Sequence, residues 1–479
     1  MLRRTKIVAT LGPASSDQQV LEKMIQAGVD VVRMNFSHGT AQDHVARAEK
    51  VRAAAAACGR IVGILADLQG PKIRVGKFEN DKIVLNNGDM FILDAGWTAL
   101  GNQQRAGLDY KELHNDVSKG SVLMLNDGML EFDVLEVKGK QIICKVVRGG
   151  VLSNNKGINR KGGGLTAPAL TDKDKQDIKT AALIKADYLA VSFPRSAADM
   201  NLARDLMHAA GGKSLLMAKI ERAEAIPVLA EIIDASDAIM VARGDLSVEV
   251  GDAAVPGLQK RMIRMARSKN KLVITATQMM ESMITNPIPT RAEVSDVANA
   301  VLDGTDAVML SAETAVGDYP IETVQSMARI CINAEKEMGD MSTDHRMLQA
   351  KFTRIDQSIA MSALYAASHF DVKSIVALTQ SGSTALWMSR MNVGVPIFAL
   401  TPTKATLSKV TLFSGVHPIE FEPSSKDPSA ALRGAEDELV RLGLAEEGDL
   451  IVMTIGEAVG KAGHTNTMKI VRVGDYRKA

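Results

Sequence analysis

SLLMAKIE, Ser214 to Glu221, is an apolar run that closes on a lysine and a glutamate two residues apart. Read as a strand, its side chains alternate faces, so Lys219 and Glu221 share one and Ile220 takes the other. A lone surface pair of this kind is worth only about 0–1 kcal/mol and says nothing about function. What the pair means depends on how many such strands the chain holds and on what stands at their ends.

Seven further short, apolar runs have the same form: TKIVATLG from Thr5, VVRMNF from Val31, VGILADL from Val62, YLAVSF from Tyr188, AIMVARGD from Ala238, LVITATQM from Leu272 and AVMLSAET from Ala307. Helical patterns separate them, which predicts βα units and a parallel sheet, and eight strands close a (β/α)8 TIM barrel. The runs begin about 24 to 36 residues apart, except across the third gap, which exceeds 120. One βα unit needs only the shorter spacing, so a segment is inserted there.

The insert, residues 70–167, reads differently. FILDA, SVLMLNDGMLEFDVLEV and KQIICKVV are strand-like, with turn signals at Asn126-Asp127-Gly128 and Lys138-Gly139-Lys140. A small β-barrel domain is expected, leaving near Gly70-Pro71 and returning through Gly162-Gly163-Gly164. Entering and leaving at the C-terminal end of a barrel strand, it would hang over the active-site face as a lid. Beyond residue 340 the alternation begins anew in SIVALT, PIFALT, HPIEF, DLIVMTIG and KIVRV. The expected architecture is therefore α/β: a catalytic barrel of residues 1–69 and 168–340, interrupted by a lid of residues 70–167 and followed by a C-terminal α/β domain of residues 341–479.

Composition narrows the partners. Fifty-seven basic against 56 acidic residues leave a formal charge of +1, and aromatics make up 4%. Neither nucleic acid nor an anionic membrane is an expected partner. Three scattered cysteines, Cys58, Cys144 and Cys331, suit a reducing compartment and argue against a disulfide framework. MLRR is followed only by the short run IVA before polar Thr10, too little for a signal peptide, and no apolar stretch approaches the ~18 residues of a membrane span. The expected location is the cytoplasm.

A barrel enzyme concentrates its chemistry at the C-terminal ends of its strands. Polar residues gather there: Arg33, Asn35, Ser37 and His38; Asp67, followed by Lys72 and Arg74; Ser192; Lys219 and Glu221; Arg243 and Asp245; Thr277 and Gln278; Ser311 and Glu313. One polar strand end is readily a solvated surface; seven of eight are harder to dismiss. Glu221 and Asp245 on adjacent strands suit a hard, oxygen-liking cation such as Mg²⁺. Arg33, Arg74 and Lys219 bring positive charge to the same rim and suit a phosphorylated anion. Carboxylates, arginines and one lysine without an obvious nucleophile point to phosphoryl transfer, where positioning and charge neutralisation do most of the catalysis.

Two nucleotide motifs fail on inspection. AGGKSLL has Met207 where a phosphate loop needs glycine, and GEAVGKA has Ala462 where it needs Ser or Thr. In the third domain, LTQSGSTALWMSR places Thr379, Ser381, Gly382, Ser383 and Thr384 between a strand and a helix. The loop reads as either a plain helix cap or an anion site.

TKIVATLGPAS, VVRMNFSHG, DLQGPKIR, AKIERAEA, VARGDL, ITATQMMESM, PTRAEVSDVANAVLDGTDAVMLSAETAVGDYP and TQSGSTA resemble the pyruvate kinase family, in order and over nearly the whole chain. The resemblance is to a bacterial type without an N-terminal extension. It implies transfer of the phosphoryl group of phosphoenolpyruvate to ADP, giving pyruvate and ATP, the last step of glycolysis, with Mg²⁺ as cofactor and Mn²⁺ as a substitute. It also implies that Lys219 stabilises the transferred phosphoryl group, that Glu221 and Asp245 hold the metal, and that Gly244, Asp245 and Thr277 clamp the substrate carboxylate. By the same resemblance Arg33 binds the phosphate, while Asn35, His38, Arg74 and Lys156 contact the nucleotide. Thr277 and Ser311 are candidates for relaying the proton to enolpyruvate.

Asn35, Ser37, Asp67 and Leu68 resemble the family's potassium site, with Leu68 where threonine is usual. Potassium-dependent members resemble GPEIR where this chain has GPKIR. Lys72 is therefore expected to replace the potassium charge, and no K⁺ requirement is expected. TQSGST is similar to the family's allosteric phosphate loop; without an Arg/Lys cluster nearby, a sugar monophosphate or AMP is the expected effector. A homotetramer is carried over as an expectation. Two alternatives stay open: an aldolase using Lys219 as a Schiff base or a metal-bound enolate, and a catalytically idle metabolite sensor acting through the third domain.

Overall fold

The computed structural model describes residues 2–338 and 352–477. Eight parallel strands form a closed barrel: β1 (Lys6–Thr10), β2 (Val31–Asn35), β3 (Gly63–Asp67), β4 (Tyr188–Val191), β5 (Leu215–Ile220), β6 (Ala238–Ala242), β7 (Leu272–Ala276) and β8 (Ala307–Leu310). Neighbours follow chain order round the ring and β8 closes onto β1, with Lys6 opposite Ala307 and Ile7 opposite Val308. Val8, Val31, Leu65, Ala190, Met217, Met240 and Ile274 pack in the barrel interior, and their neighbours along each strand face the helices. Every residue of β1, β3, β4, β6, β7 and β8 is buried, which is why these strands read as continuous apolar runs.

The sixth run departs from its sequence reading. Its strand stops at Ala242, and Arg243–Val250 is a helix, so Asp245 sits on a first helical turn and not on a strand. Backbone N–H groups at a helix start favour a carboxylate there.

The insert has its own core, built around Phe91, Phe132, Leu123, Ile142 and Val146. A six-stranded sheet runs from Ile158–Arg160 at one edge to Arg105–Gly107 at the other, beside a two-stranded ribbon of Lys82–Leu85 and Gly150–Ser153. The chain after β3 spans the two edges of the six-stranded sheet: Arg74 bridges to Gly157 beside one edge and Val75 to Leu108 beside the other, with the Val75 N–H on the Lys156 carbonyl and the Gly76 N–H on the Gly107 carbonyl. The hairpin turn places Asn126, Asp127 and Gly128 at positive φ. A Cβ on Gly128 would lie 3.5 Å from Val248, so this turn rests on the helix after β6.

The C-terminal sheet has the strand order Val416–Glu420, Ile397–Thr401, Ser374–Leu378, Leu450–Ile455 and Thr467–Arg472, the last antiparallel. This doubly wound order puts a crevice beyond Ser374–Leu378 and Leu450–Ile455, where the winding reverses. Arg390, at the end of helix Ser383–Ser389, is buried against Asp306 just before β8, with Nη1 3.0 Å from Oδ2. The expected boundary between barrel and C-terminal domain, at residues 340 and 341, lies outside the described residues.

Candidate active site

Strand alternation brings Lys219 and Glu221 to one face at the end of β5, where Lys219 Nζ stands 2.9 Å from Glu221 Oε1. Two more groups converge on the same ammonium: Asp67 Oδ1 at 3.3 Å and Ser192 Oγ at 2.8 Å. Asp67, 1% exposed, also accepts from Arg33 Nε at 2.6 Å, and Arg33 Nη1 reaches Thr10 Oγ1 at 3.1 Å. The floor is thus an alternating row, Arg33, Asp67, Lys219, Glu221, each held by opposite charge. Burial works against the Lys219 ammonium, yet Asp67 and Glu221 outweigh it and raise its pKa. Burial likewise opposes ionisation of Asp67, but Lys219 and Arg33 together lower its pKa.

Glu221 is in a different balance. Burial pushes its carboxyl upward, Lys219 opposes, and the Asp245 charge pushes upward again. The two carboxylates line one cleft and repel each other, a pair suited to a divalent cation with oxygen ligands. The second oxygen of Glu221 accepts the Phe193 N–H at 3.0 Å, which fixes the carboxylate plane. Lys72 Nζ lies 3.2 Å from Asp245 Oδ1 and 4.0 Å from Asp127 Oδ1 of the insert.

The cleft, about 580 Å³ and open to solvent, is lined by Arg33, Asn35, Ser37, His38, Leu68, Gln69, Lys72, Arg74, Phe193, Lys219, Glu221 and Asp245, and is of a size that suits a small phosphorylated ligand. Asn35 Oδ1 accepts the Ser37 N–H at 3.0 Å, which folds the loop after β2. Lys156 does not line the cleft; its carbonyl accepts the Val75 N–H at 2.9 Å within the insert.

Thr277 and Ser311 stand on the neighbouring rim. Thr277 Oγ1 accepts the Gly244 N–H at 2.9 Å, one residue from Asp245. Thr277 and Gln278 have φ of 67° and 54°, and a β-branched residue in this region is strained. Arg243 sustains that backbone, with Nη2 2.8 Å from the Thr277 carbonyl and Nη1 2.7 Å from Asp296. Ser311 donates its N–H to Glu313 at 2.6 Å, while its hydroxyl oxygen is buried without a partner among the described residues. Sequence reading gave no role to Phe193, Gln69 or the inward turn of Arg243; a positive φ at phenylalanine leaves no local signature.

The second cleft, about 480 Å³, lies at the switch point of the C-terminal sheet, lined by Thr379, Ser383, Thr384, Phe421, Lys461 and Thr465 among others. Ser381 and Gly382 shape the loop without lining the cleft: Gly382, at φ 82°, donates to Thr379 Oγ1 at 3.0 Å, and Ser381 Oγ meets Ser383 Oγ at 3.1 Å.

Residues 2–324 match the family model "Pyruvate kinase, barrel domain", and residues 357–471 match "Pyruvate kinase, alpha/beta domain". The chain belongs to the pyruvate kinase family. It is 54% identical over 477 residues to "Pyruvate kinase II" of Salmonella typhimurium, covering 98% of this chain and 99% of that one. It is 55% identical over 460 residues to the pyruvate kinase of Haemophilus influenzae, covering 95% and 96%. With the pyruvate kinase of Mycobacterium tuberculosis it shares 41% over 479 residues, 99% of each chain. Among the described residues no helix is long and apolar enough to cross a membrane.

Proposed function

We propose that the cleft above β2 to β6 carries the pyruvate kinase reaction, transfer of the phosphoryl group of phosphoenolpyruvate to ADP to give pyruvate and ATP, closing glycolysis. The observation that carries this reading is Lys219, buried between Asp67, Glu221 and Ser192 on the floor of a cleft ringed by Arg33, Lys72 and Arg74. Its ammonium is held charged, which suits stabilisation of a phosphoryl group in flight and disfavours the neutral amine that an aldolase Schiff base needs. Arg33 neutralises the phosphate from the β2 side, while Asn35, His38 and Arg74 hold the nucleotide; Lys156, away from the cleft, contributes only through its segment.

Glu221 and Asp245 would hold Mg²⁺, or Mn²⁺ in its place, which would supply charge neutralisation and orientation for phosphoryl transfer. Lys72, paired with Asp245, stands where its charge would also serve the phosphates. The Gly244 and Asp245 amides with Thr277 hold the substrate carboxylate, and the Gly244 N–H now donates to Thr277 Oγ1 at 2.9 Å. Thr277 and Ser311 deliver a proton to the enolpyruvate carbon through water, which the Ser311 hydroxyl, unpartnered among the described residues, supports.

The Lys72 charge also serves where potassium-dependent relatives need K⁺, so Asn35, Ser37, Asp67 and Leu68 need no monovalent ion. Residues 1–69 and 168–340 form the catalytic unit, 70–167 the lid and 341–479 the effector unit of a cytoplasmic homotetramer. In the effector unit, Thr379, Ser383 and Thr384 face a cleft with Lys461 as its lining cation, which favours a sugar monophosphate or AMP over a bisphosphate. A coupled assay with phosphoenolpyruvate, ADP and Mg²⁺ tests the main reading: pyruvate formation by the unmodified enzyme and its loss in Lys219→Met support it, and full activity in Lys219→Met rejects it.

A further inference from the structure

The Ser192–Phe193 turn after β4 holds both Lys219 and Glu221. Ser192 Oγ accepts from Lys219 Nζ at 2.8 Å and donates to the Leu68 carbonyl at 2.7 Å, and the Phe193 N–H reaches Glu221 Oε2 at 3.0 Å. Phe193 adopts φ 56°, a conformation that a bulky residue keeps only where its surroundings over-determine it.

Those surroundings come from the two linkers of the insert. On the outgoing side, Gly70 at φ +67° lies so close that a Cβ would stand 2.7 Å from Ser192 Cβ and 3.1 Å from Phe193 Cδ2. On the return side, Arg222, 2% exposed, donates Nη1 to the Leu165 carbonyl at 3.2 Å and sets Cζ 5.4 Å from the Phe193 ring centroid. The same linker is gripped around that point: Gly162 N–H by the Glu249 carbonyl at 2.9 Å, Gly164 N–H by the Glu224 carboxylate, and the Thr166 carbonyl by Arg195 Nη1 at 3.1 Å.

We propose that Arg222 and Phe193 are positioning residues that tie the linkers of the insert to Glu221 and Lys219, so that the carboxylate and ammonium are aimed into the cleft only while the insert is seated. The proposal rests on the reading of Glu221 as a metal ligand. Arg222 is the residue after Glu221, so force on Leu165 enters the chain one peptide from that ligand. The guanidinium on the Phe193 ring gives a second route, through the amide that fixes the Glu221 plane. A side chain acting through a ligand's orientation changes metal affinity as well as rate.

The test uses the full-length enzyme and its Arg222→Met, Arg222→Lys, Phe193→Leu and Glu221→Gln variants. Free Mn²⁺ is titrated by electron paramagnetic resonance, with kcat, the KM for each substrate and thermal unfolding measured in parallel. The expected result is a loss of about 10-fold or more in Mn²⁺ affinity and in kcat for Arg222→Met, with a smaller loss for Arg222→Lys, which keeps the carbonyl contact but not the stacked plane. The KM for ADP should stay within about twofold, because neither Arg222 nor Phe193 hydrogen-bonds a residue assigned to the nucleotide. Mn²⁺ affinity within about twofold of the unmodified enzyme in folded Arg222→Met overturns the proposal. Should Arg222→Met fail to fold, Phe193→Leu is judged by the same thresholds. If Glu221→Gln leaves Mn²⁺ binding unchanged, the ligand reading itself fails; if it weakens binding while Arg222→Met does not, only the coupling fails.

Discussion

Lys72 Nζ lies 3.2 Å from Asp245 Oδ1, with the ammonium side chain 27% exposed and the carboxylate 20%. A pair this open to solvent is worth about 0–1 kcal/mol, so a divalent cation displaces it at little cost. The lysine then carries its charge within the cleft. Turnover in K⁺ and in tetramethylammonium at equal ionic strength should agree closely for the unmodified enzyme. Lys72→Glu, which reverses the charge, should require K⁺. Strong K⁺ activation of the unmodified enzyme would refute the substitution of one charge for the other.

Lys219→Met removes the ammonium shared by Asp67 and Glu221. By the scale of losing one donor to a developing charge, kcat should fall about 10²- to 10³-fold or more. The KM for phosphoenolpyruvate should rise much less if Arg33 binds the phosphate as proposed. Steady-state kinetics separate the two effects.

Glu249, 3% exposed, accepts the Ala223 N–H at 2.8 Å beside the return linker. Burial pushes its carboxyl up from 4.5 to about 7, with Glu224 adding to the effect. Since the folded pKa is the higher one, the folded state holds a proton that the unfolded chain has released. The contribution to stability is full below pH 4.5, declines as pH rises and is gone above about pH 7. Urea unfolding from pH 5 to 8 should show this decline in the unmodified enzyme relative to Glu249→Gln. A difference between the two that is independent of pH would contradict it.

Lys461 is a cation on the wall of the second cleft, beside Thr379 and Thr384. Lys461→Ala should raise the activation constant for a sugar monophosphate about 10-fold or more, the scale of a lost charge-assisted hydrogen bond, and leave activity without effector unchanged. Initial rates across effector concentration measure it. Activation by fructose 1,6-bisphosphate with no response to monophosphates would count against the assignment.

Arg390 and Asp306 are 7% and 0% exposed and join helix Ser383–Ser389 to the base of β8. Asp306→Ala strands a buried guanidinium and should cost about 3–5 kcal/mol of stability. Differential scanning calorimetry of this variant alongside Arg390→Met with Asp306→Leu distinguishes a stranded charge from lost packing, since the double apolar variant should recover much of the loss.

The barrel was legible because burial on both faces writes each strand as an unbroken apolar run, and the long third gap betrayed the insert. Lys219 and Glu221 were legible as a pair because strand alternation is strict. Asp245 was placed on the wrong element: AIMVARGD continues smoothly in sequence, and nothing local marks the change from strand to helix at Arg243. Phe193 escaped for another reason. It takes a positive φ beside Gly70 and Arg222, residues far from it in sequence, so no window around it carries the information.

The segment that carries Lys72 and Arg74 into the cleft is also the seam of the insert, meeting Gly157 beside one edge of its sheet through Arg74 and Leu108 beside the other through Val75. The wall of the cleft and the closing line of its cover are therefore one piece of backbone, so any change that shifts the insert also shifts these two cations.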